Sequence, residues 1–486
     1  MTFIDYFIIG AYMLGILAVG LLSKGKEDSA EDYFAAGGRM GGLLSTVIVG
    51  LSIAATFFSG LSFVAVPSII ISDGLKVTLV LVTLPISSWI VCGWFIPRYL
   101  ALKTLHPYEI IRRHIGSRAS NVTSALFVLL RVGWMAALLY APTILLLTTM
   151  RLGDQWLWPL ILVMGLGTTF YTVLGGLQSV LITDAVQMII VIASLIVTVV
   201  CGIMQLPPEP GQWIQVLSEG GKLEWPSFSL DMTERFTIFG ILIGITVTNL
   251  GNYIGDQMSL QRYLAMKDVR SAQQSFRFNM WGTALTLVLL YLLGCVIVVW
   301  QGFHAAGGGV VPADQVFPNF VAQALPPGVC GLMVAAILAA TMDSVASGVN
   351  ALAGSITIDF VRPNCRSLSD QSLVKIGKRI SLAVGVGATL VAGFISKVGS
   401  IYDMMQAILG VFLGPILGVM ILAMLRWRVS ENRVLAGIGT GCACGIAVTF
   451  TPIQSIWTTS FGFFSCLLVA WPYGRQLRSP EEKTTS

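Results

Sequence analysis

The stretch MVAAILAATMDSVASGVNALAGSITID, residues 333–359, combines a helix-length apolar run with a carboxylate and several hydroxyl groups. At 3.6 residues per turn, its small and oxygen-bearing residues share one helix face and its large aliphatic residues share the other. An ionised side chain at membrane depth costs about 2.5–3.5 kcal/mol on insertion scales, so Asp343 is expected to face a cavity or a partner. We interpret this face as half of a cation site, although Ser344 and Ser347 could instead bond their own backbone carbonyls one turn back.

The composition of the whole chain agrees with a membrane setting for this helix. The 486 residues are 55% hydrophobic and 11% charged, whereas soluble proteins carry about 25% charged residues. Apolar segments near or above the roughly 17–25 residues needed to cross a bilayer recur about 13 times. These features predict an all-α polytopic membrane protein with about 13 transmembrane helices and no separate soluble domain.

The distribution of basic residues predicts the orientation. Lys24, Lys26 and Arg39 follow the first apolar segment, and cytoplasmic loops are enriched in Lys and Arg. We therefore expect the amino terminus outside and, with an odd number of spans, the carboxyl terminus in the cytoplasm. The net charge of +5 reflects this topology, and nothing in it calls for nucleic acid as a partner.

Two predicted spans are interrupted by glycine and polar residues. In SIAATFFSGLSFVAVPS, residues 52–68, the pattern predicts an unwound segment near Thr56–Gly60, with a simple glycine packing notch as the alternative. In TVTNLGNYIGDQ, residues 246–257, the interrupting residues are Asn249, Gly251, Asn252 and Gly255. The two interruptions lie about five spans apart, which is typical of an inverted-repeat transporter with a site at the membrane midplane.

Two further charged residues lie within apolar segments. Arg131 could hold a substrate carboxylate, pair with an acidic side chain or extend to the membrane interface. Asp184 shares a helix face with Gln187. A carboxylate inside an apolar span indicates a functional site, and we expect Arg131 or a bound cation to balance it.

Three stretches carry a family resemblance: Asp32-Tyr33-Phe34 with Gly38-Arg39, Gly175-Gly176 through Asp184 and Gln187, and Asp256-Gln257 through Gln261-Arg262-Tyr263-Leu264. Over nearly its whole length the chain resembles the sodium/solute symporter family, which includes sugar, proline, pantothenate, iodide, monocarboxylate and sialic acid carriers. The resemblance implies two inverted five-helix repeats with one helix before them and two after. The implied divisions are 1–42 (first helix and cytoplasmic lead-in), 43–204 (first repeat), 205–235 (external loop), 236–427 (second repeat) and 428–486 (two peripheral helices and a cytoplasmic tail).

The resemblance also implies a sodium site between the first broken helix and the helix of Asp343. Its ligands would be the backbone carbonyls of Ala55, Phe58 and Ala340 and the side chains of Asp343 and Ser344. The family usually has a serine or similar small residue at position 343, so the carboxylate could bind sodium more tightly or take up a proton and make coupling pH-dependent. Asp184 and Ser347 match a second sodium site that some members carry, but Ala346 stands where a second serine would help.

For the solute, the resemblance implies contacts from both broken helices and from neighbouring spans: Ser59, Ser62, Arg131, Trp134, Asn249, Asn252 and Gln406. This mildly polar set fits either a neutral sugar or polyol, or a small carboxylate held by Arg131. The choice between these two solute classes stays open.

We therefore expect a sodium-coupled symporter that imports a small polar organic solute by alternating access. It would work as a monomer in the lipid bilayer of the cell membrane, with Na⁺ as coupling ion and no other cofactor. The spans contain no metal-ligand cluster or nucleophile–base pair, so an enzyme is not expected. The alternatives are a transceptor or sensor with the same fold, and a proton-coupled carrier that uses Asp343.

Overall fold

The computed structural model describes residues 1–23, 29–102, 104, 106–150, 152–304, 313–365, 368–394, 401–425, 427–471 and 474–475. Lys24 and Lys26, on which the predicted orientation partly rests, lie outside these ranges. Within them the chain is helical, apart from a short antiparallel pair of strands, β1 (Trp427–Arg428) and β2 (Gly474–Arg475).

The first part of the chain contains α1 (Phe3–Leu22), α2 (Ala30–Ala35), α3 (Gly42–Phe57), α4 (Ser62–Asp73), α5 (Val80–Ile90), α6 (Ile96–Ala101), α7 (Glu109–His114), α8 (Ser117–Met150), α9 (Leu157–Ile203) and α10 (Pro210–Glu219). The second part contains α11 (Thr246–Leu250), α12 (Gln257–Ala265), α13 (Val269–His304), α14 (Ala313–Ala324), α15 (Val329–Ser355), α16 (Arg362–Asn364), α17 (Asp370–Phe394), α18 (Ile401–Leu425), α19 (Glu431–Thr449) and α20 (Thr458–Val469). Wider π-helical turns join several of them, at Val91–Phe95, Gly240–Ile245, Gly251–Gly255 and Ile356–Val361.

Several helical stretches can cross a membrane. Among the described residues, 7 stretches are long and apolar enough by length and composition, and shorter apolar helices accompany them. The longest, Asp154–Ile203, has 50 residues, more than one crossing needs, because α9 continues through a kink at Gly176 (φ 59°, ψ −162°). A polytopic all-α protein is thus confirmed, whereas the count of about 13 spans stays a prediction.

The first predicted helix break is present. Helix α3 ends at Phe57, Phe58 is extended (φ −105°, ψ 114°), and α4 begins at Ser62. The alternative interpretation, a glycine packing notch, applies as well, because a Cβ atom on Gly60 would collide with side-chain atoms of Thr341 and Pro142. This segment is both unwound and closely packed against its neighbours.

The second break lies later than the sequence pattern suggested. Asn249, Gly251 and Asn252 remain helical, in α11 and in the π-helical turn that follows it. The helix is interrupted at Asp256 (φ −88°, ψ 124°), and α12 starts with Gln257. A π-helical turn accommodates the glycines without ending the helix, so the interruption shifts to the residue that caps α12.

Helix α15 runs through the centre of the molecule. All its residues from Met333 to Ser355 are buried, and it packs against α1, α3, α8, α9 and α17. Its small face and its aliphatic face are therefore both covered by protein. The quoted stretch is a core helix, and its polar side chains face other helices rather than lipid.

Candidate functional site

The first element of the site is the contact between α15 and the break after α3. The hydroxyl oxygen of Ser344 lies 3.1 Å from the carbonyl oxygen of Ala340, 3.5 Å from that of Phe58 and 3.0 Å from Oδ1 of Asp343. Ala55 lies in the last turn of α3, where its carbonyl accepts the N–H of Phe58 at 3.1 Å. Of the predicted sodium ligands, the side chains of Asp343 and Ser344 and the carbonyls of Ala340 and Phe58 meet at one buried place, where Ser344 also bonds its own helix as the alternative stated.

Asp343 differs in its charge environment from three other buried carboxylates, whereas Asp5, which is also buried without a described ion pair, is held by backbone N–H groups. Asp184 pairs with Arg262, Asp256 with Arg131 and Asp359 with His106. Asp343 is 1% exposed, and among the described residues it forms no ion pair. Placing one unpaired charge in protein interior costs several kcal/mol, so Asp343 needs a cation or a proton.

The carboxylate of Asp184 is held by a buried network. Arg262 donates from Nη2 to Asp184 Oδ2 at 2.7 Å and to the Ser347 hydroxyl at 2.6 Å, and from Nε to the Ser52 hydroxyl at 2.9 Å. Ser52 and Ser347 donate in turn to Asp184 at 2.7 Å and 3.1 Å. The expectation that Arg131 balances Asp184 is therefore wrong: Arg262 does so, from α12, which packs against α3 and α15. A bound cation beside Asp184 stays a prediction.

The same network bears on the second predicted sodium site. Asp184 and Ser347 do come together, but the guanidinium of Arg262 contacts both. A sodium ion between these two side chains would compete with an arginine for the same oxygen atoms. Oδ1 of Asp184 and Oε1 of Gln187, both buried, have no hydrogen-bond partner among the described residues.

The predicted solute contacts surround one cavity. It encloses about 280 Å³, close to the lower end of the roughly 300–1,000 Å³ usual for small-molecule sites. The predicted residues that line it are Ser59, Ser62, Arg131, Trp134, Asn249 and Asn252. The side chain of Gln406 lies outside the described part of the chain. Phe58 also lines the cavity. The helix break after α3 therefore contributes both to the cavity and to the surroundings of Ser344.

The cavity lining includes an ion pair whose acidic partner sequence reasoning did not identify. Of the alternatives for Arg131, the structure shows pairing with an acidic side chain, Asp256. Oδ1 of Asp256 accepts the backbone N–H of Met258 at 2.8 Å and so caps α12. Nε of Arg131 and the hydroxyl of Ser259, both buried, have no partner among the described residues, and both residues belong to the cavity lining. The sequence signal was present in Asp256-Gln257, but only the break at Asp256 turns that carboxylate towards Arg131.

A second missed group, the His106 cluster, comprises His106, Ser124, Gln257, Ser355 and Asp359. Nδ1 of His106 lies 2.9 Å from Asp359 Oδ1, an ion-pair distance without hydrogen-bond geometry. Ser124 donates to Asp359 Oδ2 at 2.6 Å, and Gln257 contacts both Ser355 and Nε2 of His106. The cluster joins α12 to the end of α15 and to the chain before α7.

Comparison with known sequences identifies one family. The sequence profile of the Sodium:solute symporter family matches residues 33–441. The human sodium/iodide cotransporter is 29% identical over 455 residues, which are 91% of this chain and 69% of that protein. The sodium/sialic acid symporter NanT of Aliivibrio fischeri is 26% identical, covering 90% and 85% of the two chains. The human sodium-coupled monocarboxylate transporter 2 is 27% identical, covering 95% and 76%.

Comparison with solved structures supports the fold. The structure of a substrate-bound, outward-open Na⁺-coupled sialic acid symporter superposes with a TM-score of 0.85 at 20% identity, covering 96% of this chain and 97% of that chain. Mhp1, a nucleobase-cation-symport-1 family transporter, gives a TM-score of 0.51 at 14% identity over 92% of each chain. At these identities the likeness shows a shared helical architecture.

Proposed function

The chain belongs to the sodium:solute symporter family, and from this premise we propose that Asp343 and Ser344 hold the coupling ion. The protein is a multi-pass membrane transporter coupled to sodium, and it is not an enzyme. The proposed ligands are the carbonyls of Ala55, Phe58 and Ala340 with the side chains of Asp343 and Ser344. The observation that carries this proposal is the buried carboxylate of Asp343, without a described cationic partner, beside the Ser344 hydroxyl and the Phe58 carbonyl.

The chemistry of the place favours a small hard cation. Carbonyl, hydroxyl and carboxylate oxygens are ligands for such ions, and carbonyls freed by a broken helix point into its gap. A sodium ion beside Asp343 would cancel a charge that the surrounding protein leaves unpaired. A proton on Asp343 would do the same, which makes proton coupling the second candidate.

The solute is proposed to bind in the cavity, as a sugar or a small carboxylate. The relatives are named for iodide, sialic acid and monocarboxylates, which keeps both classes open. Phe58 lines the cavity, and its carbonyl oxygen lies 3.5 Å from the Ser344 hydroxyl. An ion that fixes this carbonyl also fixes the cavity wall, so sodium and solute should each raise the affinity for the other.

The energy available from one sodium ion is sufficient for uptake against a gradient. One charge crossing 100 mV yields about 2.3 kcal/mol, and a tenfold sodium gradient adds about 1.4 kcal/mol. Together they support about 500-fold accumulation of solute.

We further propose inverted repeats at 43–204 and 236–427, an external amino terminus, a cytoplasmic carboxyl terminus and function as a monomer in the bilayer.

The test is uptake by the full-length protein in proteoliposomes, with sugars and small carboxylates supplied as separate radiolabelled solutes. We expect uptake driven by an inward sodium gradient, strongly reduced in Asp343→Ala and in Ser344→Ala. Ser381→Ala is the matched control, because this hydroxyl is buried like that of Ser344 but lies on α17, which supplies none of the proposed ligands. Undiminished sodium-driven uptake in both site variants would refute the assignment, and uptake driven by a proton gradient without sodium would favour the second candidate.

A further inference from the structure

The charged side chains around the cavity set a condition on the solute. Of the described residues that line it, Arg131 and Asp256 are the only ones with a formal charge. They form an ion pair in which the two side chains are 5% and 2% exposed. The cavity lining therefore carries a neutral pair, and Arg131 Nε and the Ser259 hydroxyl, both buried, have no hydrogen-bond partner among the described residues.

The balance of charges extends to the surrounding core. Asp184 is compensated by Arg262, and Asp343 would be compensated by the proposed sodium ion. A solute with a single negative charge would then be the one uncompensated charge in this region, which is unfavourable in protein interior. A second sodium ion at Asp184 and Ser347 could balance it, but it would compete with Arg262 for Oδ2 of Asp184 and for the Ser347 hydroxyl.

Asp256 is not free to leave Arg131. Its Oδ1 is held by the N–H of Met258 at the start of α12, and its Oδ2 faces the guanidinium. A solute carboxylate that approached Arg131 would meet this fixed carboxylate at close range, and like charges at such distances repel strongly. Hydroxyl groups avoid this repulsion, since they can accept from Arg131 and donate to Asp256.

We propose that Asp256 is a specificity-determining residue that restricts transport to polar solutes without net charge, such as sugars, polyols or zwitterions, and excludes monocarboxylates. This inference rests on the proposed function, because it takes the cavity as the solute site and one sodium ion as the partner of Asp343. Arg131 alone would make the cavity a carboxylate site. Asp256 converts it into a site for neutral solutes.

The variant Asp256→Asn separates charge from structure. Asparagine caps helices about as well as aspartate, so the start of α12 is preserved while the negative charge is removed. Arg131 is then a buried cation without a counter-ion, and the cavity should prefer an anion. The double variant Arg131→Gln/Asp256→Asn removes both charges and should return the preference to neutral solutes.

The experiment measures the thermal stability of the purified full-length protein against pairs of solutes that differ by one unit of net negative charge: glucose with glucuronate, galactose with galacturonate, and zwitterionic alanine with lactate. Each titration is done in sodium and in potassium. In sodium, the wild type should bind a neutral member at least about tenfold more tightly than its anionic counterpart. Asp256→Asn should reverse this ratio, and the double variant should restore it.

Three results would overturn the inference: equal or tighter binding of the anionic member by the wild type, an unchanged ratio in Asp256→Asn, or no binding of any neutral member. If Asp256→Asn does not fold, the wild-type ratio decides alone. The comparison of sodium with potassium tests the proposed function separately, since a solute that binds equally in both salts contradicts sodium coupling whatever its charge.

Discussion

Replacing Arg262 with glutamine should expose how the core balances its charges. Arg262 is 1% exposed and donates to Asp184, Ser347, Ser52 and the carbonyl of Met258. Without it Asp184 is a buried carboxylate that keeps only hydroxyl donors. Breaking a buried ion pair by removing one partner costs about 3–5 kcal/mol, so we expect a destabilisation of that order in a sodium-free choline buffer.

The same variant should gain an affinity for sodium. Oδ2 of Asp184 and the Ser347 hydroxyl would lose their arginine partner, and Oδ1 of Asp184 and Oε1 of Gln187 already lack one among the described residues. Sodium chloride should therefore recover part of the lost stability in Arg262→Gln, whereas choline chloride should not. The free energy gained follows the ratio of ion concentration to dissociation constant.

The assay is thermal unfolding of the detergent-solubilised protein, with the double variant Arg262→Gln/Asp184→Asn as the matched control. The double variant removes both charges, so it should be more stable than the single variant and should not respond to sodium beyond the wild-type response. If the unfolding free energy of Arg262→Gln lies within about 1 kcal/mol of the wild-type value, Arg262 does not compensate a buried charge at Asp184. A double variant as unstable as the single variant would contradict the same claim.

Two further substitutions test the packing around the site. Gly60→Ala should reduce transport and stability, because the added Cβ would collide with neighbouring side chains at the helix break. Gly93→Ala, with open space around its Cβ, should be tolerated and serves as control. Thermal unfolding and uptake are measured for both variants, and equal behaviour would contradict close packing at Gly60. His106→Ala should cost about 1–3 kcal/mol, because it removes the imidazole beside Asp359 and leaves the Ser124 hydroxyl as the described side-chain partner of that buried carboxylate. The exposed His304→Ala serves as control, and identical unfolding temperatures of the two variants would show that His106 adds no stability.

The broken helices could be predicted from the sequence because an interruption is a local property. Glycine and serine within an apolar span weaken the helix wherever it packs, so the segment near Thr56–Gly60 was recognisable. The position of the second break could not be predicted, because Gly251 and Asn252 lie in a π-helical turn and the interruption comes at Asp256. Composition therefore predicts the presence of a helix break more reliably than it predicts the position of that break.

The partners of the buried charges could not be derived from the sequence. Asp184 and Arg262 are 78 residues apart, and Arg131 and Asp256 are also far apart along the chain. Which arginine meets which carboxylate depends on how α12 folds back after its break, and no local pattern contains this information. The polar face of α15 was recognisable from spacing alone, whereas the covering of its aliphatic face by other helices was visible only in the fold.

The most direct test of the sodium site is equilibrium binding of radioactive sodium to the purified full-length protein without solute, compared between the wild type and Asp343→Asn. Asparagine keeps the size of the side chain and removes the charge that the described ion pairs leave uncompensated. We predict saturable binding by the wild type and loss of that binding in Asp343→Asn, with Ser381→Ala unchanged. Sodium binding of equal affinity in wild type and Asp343→Asn would contradict the assignment of the coupling ion to this carboxylate.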